Sequence, residues 1–382
     1  MNHVVPIQLF SKYNIKDLTW PTEPWGRFAE GLLRPLCDDG VARYVRNIEA
    51  EQYVLKLGSK VLPLTVVDAA YENSYIASPY THYVQFTAEE LRLVTSRVVG
   101  KLLDLTEKLL KYPCRACEMN RIVLVNGWPL TTTFYPELTG AEVGAVRDFL
   151  VRRFPHHTIA FRTVDGLFGD GFGQLFRQQG FRLIYYRPIY SLDPTVENFR
   201  PRAALRRDLN LLKKTEYAVL GAEQLGEGDI ERISELYHKL YIQKYTSCNP
   251  QYTKDFFLLL WRKKLMELTA LKKGGRVDGF IASYGDERQL ADPFLGHDTD
   301  LPKSLGIYRM LAALVYLQAK ERGVLMNYSA GVGDFKKRRG CRKTVEYLAI
   351  DDRHLGSRRR LPWALLQAAN HFAIPLMERV DF

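Results

Sequence analysis

The residues best suited to chemistry lie between Ser329 and Tyr347, in the stretch SAGVGDFKKRRGCRKTVEY. A glycine-punctuated turn runs into a short helix carrying Lys336, Lys337, Arg338 and Arg339 in a row, which Gly340 stops before an alternating strand. Cationic side chains and the free amides of a helix start suit a phosphate-bearing ligand, or a reacting carbonyl whose oxygen gains negative charge. Cys341, followed by Arg342, offers a second chemistry: a thiolate nucleophile whose pKa a neighbouring guanidinium lowers. Set against it is the ordinary reading of a buried strand cysteine. Cys114-Arg-Ala-Cys117 is a lone CxxC with no second ligand pair nearby and trails a helical pattern, so neither a zinc site nor a redox pair is expected there. His156-His157 follows Pro155 and reads as loop; no metal is expected.

These residues sit in a chain of 382 residues with 46% apolar and 25% charged residues, ordinary values for a folded protein of two domains or three. A net charge of +11 favours anionic partners: nucleic acid, a phosphorylated cofactor or a membrane surface. No apolar run reaches the roughly 18 residues of a membrane span, and the N-terminal residues lack the pattern of a secretory signal. Five cysteines, an odd number, scattered along the chain point to a reducing cytoplasm.

Periodicity gives the positioning elements. A hairpin is expected over 52–66, and a helix over Thr87–Lys111, opened by Thr87 and Glu90 in capping-box spacing. Strands at 121–125 and 131–134, a helix at 139–152, a strand at 158–162, a helix at 169–179 ended by Gly180 and a strand at 181–190 complete the first half. The segment Phe199–Lys214 carries six basic residues and one acid in a helical pattern and is read as a connector. Beyond it come helices at 228–245 and 252–265, then strands at 266–271, 276–284 and 290–294. A helix at 304–322, a strand at 324–328, the basic helix and a strand at 343–350 follow, before a closing helix at 361–371 with Pro362 near its first turn. Phe176–Arg182 and Phe335–Arg342 repeat a helix, glycine stop and strand, which suggests an internal duplication. A mixed sheet with helices on both faces is the economical solution for this order.

The element order resembles that of the GNAT acyltransferase fold, and several stretches together resemble the tandem-GNAT transferases. These are the Fem-type aminoacyl-tRNA-dependent ligases and the related FemAB-like acyltransferases. The residues that carry the likeness are Arg202–Lys214, with Arg206 and Arg207; Gly296-His-Asp298-Thr-Asp300; Gly306-Ile-Tyr308-Arg309; Asn327-Tyr-Ser329-Ala-Gly331; Phe335-Lys336; Arg339-Gly340; and Glu346-Tyr347. It covers about residues 160–380 well and the first half only loosely. The resemblance implies an α/β (α+β) protein of two tandem GNAT-like domains, each a mixed central sheet flanked by helices. Their expected bounds are 1–198 and 216–382, with a connector at 199–215. It also implies amide formation by attack of an amine on an activated acyl donor.

In the Fem-type enzymes the lysine of a Phe-Lys motif contacts the donor carbonyl, and Lys336 occupies that place. An ammonium there stabilises the oxyanion without becoming a nucleophile; the alternative is a solvated charge on a basic helix. Amide formation needs a neutral amine, so Asp298 and Glu346 are candidate general bases. Their ordinary roles are a turn cap and a charge paired with Arg342 or Lys343. Ser329 and Tyr308 are candidates to hydrogen-bond a leaving group. Tyr308, Arg309, Phe335, Arg339, Arg206 and Arg207 are candidate donor-binding residues. The basic runs 200–214, 336–343 and 358–360 would line a groove for a tRNA acceptor stem if they converge. The stretch Leu301–Arg309 has one glycine where many coenzyme-A-using relatives have a glycine-rich pyrophosphate loop, which departs from that pattern. No bound cofactor is expected. The donor expected is aminoacyl-tRNA, with acyl-CoA or an acyl carrier protein as the alternative, and the acceptor a small-molecule or peptide amine. A non-catalytic RNA-binding protein on the same scaffold is the alternative of a different class.

Overall fold

The computed structural model describes residues 6–89 and 108–379. The chain divides into two compact units. Among the described residues, the first takes those up to Arg187, Cys248–Pro250 and those from Val345 to Arg379; the second takes Pro188–Ser247 and Gln251–Thr344. Each is a mixed sheet with helices packed on it, so the expected α/β architecture is the one observed.

In the first unit, β1 (Ile7–Phe10), β2 (Glu51–Leu57), β3 (Lys60–Asp68) and β4 (Arg121–Val125) form successive antiparallel pairs. β5 (Thr158–Asp165) then lies parallel to β4. The expected hairpin is therefore present, with Leu55 opposite Leu62. Helix α1 (Pro24–Asp39) opens on a proline that has no amide to waste at that position. Helix α2 (Gly140–Arg153) opens on a capping box: Glu142 N donates to Thr139 Oγ1 at 3.2 Å, and Thr139 N donates to Glu142 Oε2 at 2.8 Å. The alternating apolar residues of β2–β5 meet Val143, Val146 and Leu150 of α2 in one core.

In the second unit, β7 (Ala218–Gly221), β8 (Glu267–Lys273), β9 (Arg276–Gly285) and β10 (Gln289–His297) are antiparallel neighbours, and β11 (Leu325–Asn327) is parallel to β10. Its helices are α4 (Ala203–Lys213), α5 (Glu227–Tyr237), α6 (Lys254–Arg262), α7 (Ile307–Arg322) and α8 (Gly333–Arg339); α3 (Gly171–Gln178) belongs to the first unit. Ile281, Leu290 and Leu295 of the sheet meet Met310, Leu311 and Val315 of α7 in its core.

Strands β6 (Arg182–Leu192) and β12 (Arg342–Asp351) change unit along their length. The end of β6 pairs with β11, Ser191 opposite Asn327, within the second unit. The latter part of β12 pairs with β5, Glu346 opposite Asp165, within the first. The repeated helix–glycine–strand modules are the points where each exchange starts. Gly180 (φ +81°) and Gly340 (φ +102°) both take the left-handed conformation that stops a helix. Behind them Phe181 N donates to Phe176 O at 3.0 Å and Cys341 N donates to Lys336 O at 3.1 Å.

Five expectations need correction. The segment read as a connector is α4, which lies inside the second unit and packs on α7 and α8. The first domain takes back the end of β12 and α9 (Ser357–Arg379), so neither expected domain is a continuous stretch. Helix α9 starts four residues before Leu361, so Pro362 falls in its second turn; the basic run 358–360 hides the true start. Residues 131–134 form no strand: Thr133 Oγ1 accepts from Asn126 Nδ2 at 3.0 Å and bonds Thr163 Oγ1 at 2.8 Å, side-chain bonds that replace a ladder. Most of the helix expected at Thr87–Lys111 lies outside the described residues. Thr87 does not open it, because a π-helical turn at Thr81–Phe86 runs directly into Thr87 and the Thr87 hydroxyl donates to His82 O at 2.8 Å. A second π-helical stretch, His238–Tyr245, extends α5.

Candidate functional site

Within the second unit, β10 and β11 are paired over three residues only, ending at Ala291 opposite Asn327. There the strands part. β10 is irregular between Ala291 and Phe294, so Asp292-Pro293 forms a bulge. On the other side the chain leaves β11 toward β6: Tyr328 N donates to Tyr190 O at 2.8 Å, and Tyr190 N donates to Ser329 O at 3.0 Å.

The loop after β11 is strained. Ser329 (φ +53°), Gly331 (φ +78°) and Val332 (φ +44°) all take left-handed backbone, which a β-branched valine strongly disfavours. This conformation turns three successive carbonyls onto Lys336. Its ammonium donates to Tyr328 O at 2.5 Å, Ser329 O at 3.3 Å and Ala330 O at 2.6 Å. It also lies 4.9 Å from the ring centre of Tyr328 and 5.5 Å from that of Tyr190. Lys336 is 3% exposed, so it is not a solvated charge on a basic helix. Helix α8, only seven residues long, carries it inward.

Asp292, on the bulge, is the acidic member of this cluster. Burial pushes its carboxyl up to about 7, partly offset by the charge of Lys336 and by its own amide. As a residue it keeps some solvent exposure, while its carboxyl is the desolvated part. Tyr308, at the start of α7, and Tyr328 have phenols raised by burial, with the Asp292 charge adding to both shifts. The Tyr328 hydroxyl is buried and has no hydrogen-bond partner among the described residues. Tyr308 packs edge-on to Phe335 at 4.7 Å and lies 5.9 Å from His297. Asp292 is not among the residues that the sequence pattern brought forward, although an Asp-Pro inside a strand pattern is a signal of a bulge.

The other candidates are dispersed. Asp298 is tied down: Lys239 Nζ donates to its Oδ1 and Arg232 donates to its Oδ2, both at 2.6 Å. Burial alone would raise its pKa, but the bonds from Lys239 and the Asp300 amide outweigh that and lower it, which makes it a poor proton acceptor. Glu346 belongs to the first unit, where Arg187 donates to both its oxygens at 3.2 and 3.1 Å; its partner is not Arg342 or Lys343. Arg309 and Arg339 converge on buried Asp208 of α4, each through Nε at 2.6 Å, and the Arg339 guanidinium stacks 3.2 Å above Phe335. Those contacts fasten α4, α7 and α8 together. Arg206 and Arg207 are exposed on α4, Arg206 donating to Pro201 O at 2.8 Å. Cys341 is buried and its thiol is pushed up to about 11 by that burial, against the lowering effect of Lys336, Arg339 and Arg202. It is no thiolate nucleophile. Of the three basic runs, 200–214 and 336–343 share the second unit, where Arg202 donates to Lys337 O at 3.1 Å. The run 358–360 lies in the first, with Arg359 committed to Glu118, His156 O and Arg121 O.

None of the five cysteines is in a disulfide. Among the described residues no group of three or more His, Cys, Asp or Glu side chains could hold a metal, and no helix is long and apolar enough to cross a membrane.

No family model and no curated protein matches the chain. Solved structures do. L-PGS from Bacillus licheniformis is 16% identical over 59% of this chain and 76% of its own, with a TM-score of 0.45. FemX is 7% identical over 64% and 83%, with a TM-score of 0.46. A tandem GNAT protein from the clavulanic acid biosynthesis pathway is 12% identical over 91% and 98%, with a TM-score of 0.37.

Proposed function

We propose that the chain is an N-acyltransferase that carries an acyl or aminoacyl group from an activated carbonyl donor to an amine, with its reaction centre in the second unit where β10 parts from β11. The observation that carries this reading is the ammonium of Lys336, enclosed by protein at the open end of a parallel strand pair. As the amine attacks, the donor carbonyl oxygen gains negative charge, and a fixed ammonium in a water-poor setting stabilises it strongly. An ammonium has three donors, and three main-chain carbonyls take them here. The substrate oxygen replaces the longest of these bonds, the one to Ser329 O at 3.3 Å.

The donor we favour is aminoacyl-tRNA, handled in the cytoplasm in the manner of Fem-type enzymes. The net charge of +11 and the exposed Arg206 and Arg207 on α4, beside α8, support this. A thioester donor is the second reading. It rests on the start of α7, where Gly306 (φ +67°) leaves first-turn amides for a phosphate beside Tyr308. The test offers a total aminoacyl-tRNA pool and acetyl-CoA separately to a panel of amines, with product identified by mass spectrometry. Amide should form with one donor by the native protein and fall at least a hundredfold with Lys336→Ala. Equal rates from the two proteins remove Lys336 from the chemistry. Retained tRNA binding with no product from either leaves the non-catalytic RNA-binding alternative.

A further inference from the structure

We propose that Asp292 is the catalytic base of this site, taking the proton from the attacking amine. The inference rests on the reaction centre proposed above and supplies the proton acceptor that neither Asp298 nor Glu346 provides.

Three carboxylates compete for this role, and their surroundings separate them. Asp298 is held by Arg232 and Lys239, and Glu346 by Arg187. The oxygens of both are already taken up by these fixed donors, which leaves them poorly placed to meet a substrate amine. Asp292 makes no side-chain hydrogen bond to another residue and no ion pair within 4 Å among the described residues. Apart from the bond from its own amide, its carboxylate is open to accept a substrate proton.

Its position is set by the fold. A regular strand would alternate residues strictly, but the bulge at Asp292-Pro293 re-aims the backbone at the point where β10 loses β11 as a neighbour. Proline has no amide to donate, so the lost ladder bond at 293 leaves no orphan donor. The ionisable groups around Asp292 come from every element packed there. They are Lys336 from α8, Tyr308 from α7, Tyr328 from the loop after β11, and Cys341 ahead of β12. Arg339 and Tyr245 lie one layer further out, around Tyr308, and His297 closes the same strand. Lys336 is the cation that acts on Asp292, while the phenols and thiol stay neutral because burial raises them all. Burial and the lysine thus act in opposite directions, and the carboxyl is held near neutrality at about 7. That is the range in which a base is both deprotonated in part and strong enough to pull a proton from a tetrahedral adduct.

The step balances. The amine nitrogen bonds to the donor carbonyl carbon, its proton passes to the Asp292 carboxylate, and the negative charge moves to the oxygen beside Lys336. Collapse breaks the bond from carbon to the leaving oxygen or sulfur, and the carboxylic acid of Asp292 returns the proton to that atom.

Two measurements on the full chain test this. Carboxyl-13C-aspartate labelling followed across pH should show, beside the resonance of Asp165, one that titrates near 7 and is missing in Asp292→Asn. In Lys336→Met it should move to higher pH, because the stabilising cation is gone. A resonance titrating in the ordinary carboxylate range overturns the proposal. Transfer kinetics, with whichever of aminoacyl-tRNA or acetyl-CoA the wild type uses, should fall about 10²–10⁴-fold in Asp292→Asn. The rising limb of the pH profile near 7 should disappear with it, and Asp292→Glu should recover part of the rate. An unchanged profile in Asp292→Asn sinks the base while leaving the acyltransferase reading intact. No transfer by the wild type from either donor sinks both.

Discussion

Lys336 combines two functions that are separable by measurement. It staples the strained turn 329–332 through three carbonyls, and it supplies the buried positive charge. Replacing it with methionine keeps the length and apolar stem but strands those carbonyls in a buried setting. Leaving such groups unsatisfied costs on the order of 1–3 kcal/mol each, and relaxation of the turn returns part of that. We expect Lys336→Met to lower unfolding stability by about 3 kcal/mol, read from urea denaturation, and to abolish transfer. Loss of transfer with stability within about 0.5 kcal/mol of wild type would show that the turn does not depend on the staple. The Phe-Lys pair and its basic company made Lys336 visible in the sequence. Its burial was hidden, because a run of four cations reads as a solvated face, and the inward turn of one of them depends on a backbone conformation at Ser329 and Val332 that no pattern announces. Asp292 was hidden differently. Its strand was legible, but the boundary of the β10–β11 pairing decides whether an acid there is a liability or a site, and pairing is a tertiary fact.

At the scale of elements, periodicity placed β4 and the α2 cap residue where they stand, and most other strands within a few residues. It failed where local order depends on distant contacts: the π-helical turns at Thr81–Phe86 and His238–Tyr245, and the side-chain-bonded loop through Thr133. The two helix–glycine–strand modules illustrate both outcomes. Their glycines were legible as helix stops, yet nothing in either motif says that the strand which follows will finish in the other unit. Gly340 tests how much depends on such a stop. Its φ of +102° is open to glycine and strained for any other residue, and a Cβ there would also meet the Arg202 side chain at 3.5 Å. That contact is ordinary, so the cost is backbone strain. Gly340→Ala should destabilise by about 1–2 kcal/mol, measurable as a fall in the midpoint of thermal or urea unfolding. A neutral result would mean that the turn between α8 and β12 relaxes freely, and with it the placement of Lys336 one turn earlier.

Over the whole molecule, acid and salt act on different parts. His82, in the first unit, is buried, stacks on Tyr186 at 3.8 Å and bonds Tyr186 O through Nε2; burial chiefly lowers its pKa to about 3. A histidine depressed in this way supports the fold above its unfolded pKa of roughly 6.5 and withdraws that support as pH falls toward 3. Asp165, pushed up to about 7 mainly by burial, acts in the opposite direction: its folded form takes up a proton first, which adds stability as pH falls from 7 toward the ordinary carboxylate range. The two nearly cancel in the native protein. His82→Phe removes one of them, so its stability deficit relative to wild type should shrink by about 2 kcal/mol between pH 6.5 and pH 5. A deficit constant across that range would mean that His82 titrates in the folded protein as it does in the unfolded chain. Salt addresses the second unit and the choice of donor. A tRNA held by phosphate contacts releases counterions, so its affinity falls linearly on a log–log plot against salt, by about 0.9 in slope for each neutralised phosphate in a duplex. Arg206 and Arg207 are exposed and lie outside the Asp208 cluster that fastens the helices, so both can be removed at the cost only of the exposed Arg206 bond to Pro201 O. If they contact the acceptor stem, Arg206→Ala with Arg207→Ala should weaken tRNA binding and reduce the slope by about 2, with Lys336→Met leaving the slope unchanged. Weaker binding at every salt concentration with an unaltered slope would assign the two arginines to the fold. A native protein whose tRNA affinity shows no salt dependence, but which binds coenzyme A tightly, would move the donor to the thioester.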